Sequence, residues 1–189
     1  MFINANRRIT YLVPLTGLVM GALCFPSIAY LIIRSPHLGN YVRAWWEGAE
    51  YIGEEGVIRQ RTSYDCGVVS LQMALQQKGV FVRLEKLRYE AGTTEKGTSL
   101  LGLKHAAEAN GFPATTWRLN VRDLKATSLP VVAFIKPRHF VVIDKISSDD
   151  SIIVLDPALG RLRYSPKSFS QKWDGVVLIL GERVEPSTL

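Results

Sequence analysis

The apolar residues change their spacing once along the chain, and that change limits the fold more than any other feature. From Gly67 to Lys78 (GVVSLQMALQQK) Val68, Leu71 and Leu75 recur at helical intervals, and Gly79 ends the pattern. Leu84–Glu90 reads as a second short helix. A third is capped by Thr98 or Ser99, runs through Leu100, Leu103, Ala106 and Ala107, and stops before Gly111. Beyond that point the apolar residues gather into runs rich in Val and Ile: Ala114–Leu119, Pro130–Ile135, His139–Ile146, Ile152–Leu155 and Val176–Leu180. Helices first, strands afterwards, with no strand–helix–strand alternation, predict an α+β fold with an antiparallel sheet.

A second constraint lies ahead of this pattern. Residues 9–33 form a run of 25 without a charge, longer than the roughly 20 residues needed to cross about 30 Å of hydrocarbon. Arg7 and Arg8 precede it, Arg34 closes it, and Tyr41, Trp45 and Trp46 follow at the place of interfacial aromatics. The expectation is a transmembrane signal-anchor over 9–33 after a tail of residues 1–8. Residues 34–55 then form a juxtamembrane linker with an amphipathic helix through Tyr41–Tyr51. The globular domain covers 56–181, and 182–189 is a polar tail. A cleaved signal peptide would leave the greasy stub Tyr30–Ile33 at the new end, and Leu23 before Cys24 is too large for a lipidation signal. The positive-inside count favours the amino terminus inside, hence an extracytoplasmic domain on a single-pass protein of the bacterial inner (cytoplasmic) membrane.

Composition removes several function classes. A net charge of +6 without a Lys/Arg run or a basic-aromatic stripe does not point to nucleic acid. Two cysteines, Cys24 and Cys66, give no disulfide framework, and His37, His105 and His139 lack metal-ligand spacing, so no metal site is expected.

Cys66 stands where the first helix opens, facing unpaired N–H groups and the positive end of the helix dipole, both of which stabilise a thiolate. Gly67 beside it permits a close approach. A lone cysteine is more often a small buried apolar residue, so position alone leaves both readings open. His139 opens one strand and Asp156 closes the next, across the polar turn Ser147–Asp150. If the two strands form a hairpin, these residues face each other to within one or two positions. A carboxylate could then hold one imidazole nitrogen and leave the other for a thiol. Asp65 reads as a helix cap, His105 as a helix-face residue, and Asp144 and Lys145 as the exposed end of a strand. Gln60 could bring an amide to an oxyanion, although an exposed loop residue is the plainer reading.

Together these blocks resemble the bacteriocin-processing cysteine peptidases that cut leader peptides after a double glycine, as in the peptidase domains of ABC exporters. The matching blocks are Gln60, five residues and Cys66 with Asp65-Cys66-Gly67; the stretch Gly97 to Phe112; His139-Phe-Val-Val-Ile; and Asp156-Pro-Ala-Leu-Gly160. They occur in the family's order over about residues 57–180. The resemblance implies a papain-like fold, with Cys66 as nucleophile, His139 as general base and acid, Asp156 as its orienter and Gln60 as an oxyanion donor. It also implies a thioester intermediate and no cofactor. The implied substrate is a peptide or protein with a Gly-Gly motif, admitted by a narrow cleft, with a groove for the leader's amphipathic helix. No Walker A loop is present, so the enzyme is expected to act alone or beside a separate export machinery. The alternatives are a membrane-tethered module that binds such peptides without cutting, and acyl transfer in place of hydrolysis.

Overall fold

The computed structural model describes residues 37–184. Along the chain lie α1 (Leu38–Trp46), β1 (Glu50–Gly53), α2 (Cys66–Gln77), α3 (Leu84–Glu90), α4 (Leu100–Ala109), β2 (Ala114–Arg118) and α5 (Val121–Leu124). Then follow β3 (Val131–Ile135), β4 (His139–Ile146), β5 (Ile152–Asp156), β6 (Gly160–Tyr164), α6 (Pro166–Lys172) and β7 (Trp173–Leu180). The seven strands form one sheet in the order β1-β6-β5-β4-β3-β7-β2, with every neighbouring pair antiparallel. This is the α+β architecture that the change of spacing predicts.

Side chains alternate across the pleat, so each strand feeds two cores. Val132, Phe140, Val142, Leu155 and Leu178 meet the helical layer through Leu71, Leu75 and Leu103. Val131, Ala133, Val141, Ile143 and Val177 point the other way, under Ala44 of α1, Leu124 of α5 and Phe169 of α6. With both faces covered, the central strands read as continuous apolar runs even though their pairing is antiparallel. Helix α2 is the middle of the helical layer, packed against β4, α3 and α4. Every residue from Cys66 to Leu75 is buried, and a buried leucine such as Leu71 contributes roughly 2 kcal/mol.

Helix α4 crosses the end of α3 at Gly102, where a Cβ would run into the Ala91 carbonyl oxygen. Alanine gains about 1 kcal/mol in helix propensity, but the obstacle is backbone that cannot swing aside. Gly102→Ala should therefore lower stability by about 2 kcal/mol net, read as a fall in the urea midpoint. An unchanged or higher midpoint would mean that the two helices slide apart freely.

Several expectations need correction. The helix foreseen through Tyr51 stops at Trp46, because Gly48 turns the backbone at a φ of 75°. Tyr51 instead lies on β1, the edge strand that pairs with β6, and is buried in the second core. The stretch foreseen as linker thus carries a strand of the sheet, and the chain from Asn40 onward forms one compact unit. Asp144 is largely covered and ion-paired to Arg161 at 2.6 Å, while Lys145 is exposed. Among the described residues no helix is long and apolar enough to cross a membrane; residues 9–33 lie outside them.

Candidate active site

Three segments converge at one end of the sheet. Cys66 is the first residue of α2, His139 the first of β4 and Asp156 the last of β5. Strands β4 and β5 pair Val142 with Leu155. Continued by one residue, that register sets Asp156 beside Val141, one same-face position from His139. The imidazole Nε2 lies 2.9 Å from Asp156 Oδ1. A carboxylate only accepts, so Nε2 carries the hydrogen of this bond, and Nδ1 remains for the thiol. Asp156 is 3% exposed, and its Oδ1 also accepts from the backbone N–H groups of Ala158 (2.7 Å) and Leu159 (3.1 Å). These bonds close an Asx turn that holds the carboxylate in one orientation.

Cys66 is 8% exposed. Burial pushes its thiol up, but hydrogen bonds with the His139 ring and the Phe140 and Gly67 backbone, with the imidazolium charge, carry it below the ordinary value. Burial acts on His139 in the opposite sense and disfavours the cation. Its bonds to Asp156 and Cys66 outweigh that, and its pKa is pushed up to about 10. Each shift favours the charged partner, so the contacts favour thiolate with imidazolium over the neutral pair. Gly67 makes the approach possible, since a Cβ there would stand 3.2 Å from the Phe140 ring and 3.3 Å from the Thr98 Cβ.

Cys66 lines a cleft with a cavity of about 310 Å³, whose walls include Gly97, Thr98, Phe134, Arg138 and Phe140. Phe134 and Phe140 pack with their rings tilted by 56° and centroids 4.9 Å apart. Among the described residues no three His, Cys, Asp or Glu side chains gather closely enough to hold a metal ion.

Gln60 is tied into the site by its backbone, whose N–H donates to the Pro157 carbonyl at 3.0 Å, next to Asp156. Its side chain turns back on its own loop: Nε2 donates to the Thr62 carbonyl at 3.0 Å, and Oε1 is buried without a partner. Asp65 does not cap α2. It makes no side-chain cap bond, and its fully buried carboxylate is gripped at both oxygens by Arg88 of α3, at 2.9 and 2.6 Å. It also accepts the Thr62 N–H at 3.2 Å. Burial alone would raise the Asp65 pKa; the Arg88 and Thr62 bonds reverse that and lower it. Sequence reading missed Arg88 altogether, since nothing in Leu84-Glu-Lys-Leu-Arg-Tyr-Glu90 marks one cation as a partner for residue 65. His105 sits on an exposed helix face, away from the site.

Comparison with known proteins identifies the family. The family model described as the Peptidase C39 family matches residues 54–185. An uncharacterized protein of Methanothermobacter marburgensis is 36% identical over 136 residues, which is 71% of this chain and 94% of that protein. The lactococcin-G-processing and transport ATP-binding protein of Lactococcus lactis is 34% identical over 135 residues, 68% of this chain. The match spans only 19% of that transporter's length. Among solved structures, a double glycine motif protease from an AMS/PCAT transporter, in complex with its leader peptide, superposes with a TM-score of 0.62. It is 29% identical and covers 66% of this chain and 89% of its own.

Proposed function

The chain belongs to the Peptidase C39 family of cysteine peptidases, and from that premise we propose that it hydrolyses a peptide bond following Gly-Gly in a leader or secreted precursor. The observation that carries the proposal is the linked set Cys66, His139 and Asp156, with the pKa of the thiol lowered and that of the imidazole raised.

In this reading the Cys66 thiolate attacks the carbonyl carbon of the second glycine. The oxyanion that forms is held by the Cys66 backbone N–H, free at the start of α2, and by the Gln60 amide. An amide nitrogen carries two hydrogens, so Gln60 can keep its bond to Thr62 and still donate a second. His139, already protonated, gives its Nδ1 proton to the departing amine as the C–N bond breaks, which leaves a thioester. Neutral His139 then takes a proton from water, whose oxygen attacks the thioester. Collapse releases the carboxylate product and restores the ion pair. Asp156 holds the ring throughout. The leader peptide bound by the solved transporter protease supports the substrate class, and Gly97 with the paired rings of Phe134 and Phe140 supplies a cleft wall suited to residues without side chains.

We further propose that residues 9–33 anchor the chain in the bacterial inner membrane with this domain outside the cytoplasm. Two features support it: the uncharged run itself, and the exposure of Tyr41 (53%), Trp45 (74%) and Trp46 (81%) on α1 just after it. A separate exporter would supply the substrate.

The expected result with a synthetic Gly-Gly precursor peptide is a single cut after the second glycine, seen by mass spectrometry and abolished by Cys66→Ala. Iodoacetamide labelling of Cys66 should titrate below the roughly 8.5 of a free thiol. An intact peptide together with an ordinary thiol titration would favour a tethered module that binds without cutting.

A further inference from the structure

The hydrogen bonds beside the nucleophile form a connected path that starts on α3. Arg88 projects from α3, a helix fixed by the fully buried Leu87 and by the crossing of α4 at Ala91. Its guanidinium takes both oxygens of Asp65. Asp65 Oδ2 accepts the Thr62 N–H, and the Thr62 carbonyl receives Gln60 Nε2. The Gln60 N–H donates to Pro157, the residue after Asp156. The Gln60 loop is therefore pinned at two places, by the Asp156 turn on one side and by Asp65 with Arg88 on the other.

Resting on the reading that Gln60 is an oxyanion donor, we propose that Arg88 is a positioning residue that sets the Gln60 amide through Asp65 and Thr62. A buried carboxylate between two helices could follow many partners. What makes this one specific is the pair of parallel N–H···O bonds, which fixes the plane of the carboxylate as well as its place. The plane of Asp65 decides where Oδ2 lies, Oδ2 holds Thr62, and the Thr62 carbonyl decides which way the amide of Gln60 turns. Gln60 Oε1, buried and without a partner, gives the amide no second anchor of its own, so its orientation depends on this path.

Formation of the tetrahedral intermediate needs the oxyanion donors, whereas alkylation of the thiolate by iodoacetamide creates no such oxyanion. The two reactions at Cys66 therefore separate a role at Gln60 from general support of the nucleophile. Arg88→Lys keeps a cation against Asp65 but cannot make the two parallel bonds. In the full chain, with the Gly-Gly peptide, Gln60→Ala should lower kcat about a hundredfold, as expected for loss of one oxyanion donor. Arg88→Lys should lower it about tenfold, with KM within about twofold and the iodoacetamide rate at Cys66 nearly unchanged. The double variant should be no slower than Gln60→Ala alone, because Arg88 acts only through that amide. Asp65→Asn, which removes the buried charge, provides a second variant should Arg88→Lys melt at the assay temperature, and it should show the same separation of kcat from alkylation.

Parallel loss of kcat and alkylation would overturn the proposal, as would full activity in folded Arg88→Lys and Asp65→Asn, or losses that multiply in the double variant. If Gln60→Ala itself is as active as the parent, the oxyanion assignment of Gln60 fails, and the role of Arg88 falls with it. A chain that cuts no Gly-Gly peptide at all refutes the proposed function, a result distinct from either.

Discussion

Asparagine at position 156 should leave a folded enzyme that is roughly a thousandfold slower, while alanine at His139 or Cys66 should cost at least about tenfold more. The difference follows from what each residue contributes. Asp156 Oδ1 accepts three N–H groups, from His139, Ala158 and Leu159, and an amide oxygen in the same place can accept all three. The Asx turn and the ring orientation therefore survive, and only the negative charge is lost. That charge is part of what holds the His139 pKa up at about 10 against burial. Without it burial has less opposition and the imidazole pKa falls; the thiol, deprived of a firm cation, moves upward. The ion pair exists between the two values, so the kcat/KM profile should narrow from both sides. Its alkaline limb, near 10 in the parent, should drop by more than one unit, and its acid limb should rise. An alkaline limb that stays where it was in Asp156→Asn would show that His139 owes its charge to Cys66 alone.

The site was legible in sequence because its three groups occupy ends of elements, where composition is most telling. A helix start identified Cys66, and the polar turn Ser147–Asp150 brought His139 and Asp156 into register to within two residues. The irregularity between Ile143 and Lys145 shifts the ladder by one residue, a local accommodation that no strand pattern announces. What escaped the reading depends on contacts between distant segments. Asp65 has the residue type and position of a cap, but a backbone in the helical region and a guanidinium 23 residues downstream claim its carboxylate. β6 was overlooked although it alternates: Leu162 and Tyr164 face the core, while Arg161 and Arg163 lie on the opposite face, and the two arginines interrupt the apolar run that marks the central strands. α6 carried an ordinary start signal, Ser165 before Pro166, with the serine hydroxyl accepting the Ser168 N–H; its single core residue, Phe169, gave no periodicity to notice. β1 is an edge strand of four residues, too short to declare itself.

The same Asp65–Arg88 pair makes the second large effect one of stability, and its sign depends on pH. Arg88→Met should destabilise the protein at neutral pH by about 3 kcal/mol, because it leaves a fully buried carboxylate without its cation. In the parent the folded pKa of Asp65 lies below its unfolded value near 3.9, so its contribution is complete above that value and is lost as pH falls through the folded pKa. In Arg88→Met the guanidinium is gone and burial prevails, which places the folded pKa above the unfolded one. The linkage then reverses: the protonated acid is tolerated at low pH, and stability is lost as pH rises from the unfolded value towards the new folded one. Urea denaturation of parent and variant at pH 7 and pH 4.5 should show a gap that shrinks markedly at the lower pH, since groups remote from the pair titrate alike in both and cancel. A gap that is constant, or wider in acid, would mean that Asp65 stays ionised without Arg88, held by the Thr62 N–H and by water reaching a site that is closed in the parent. Asp65→Asn combined with Arg88→Met should remove both the charge and the pH dependence and recover part of the loss, because what destabilises Arg88→Met is an unpaired charge and not an empty space.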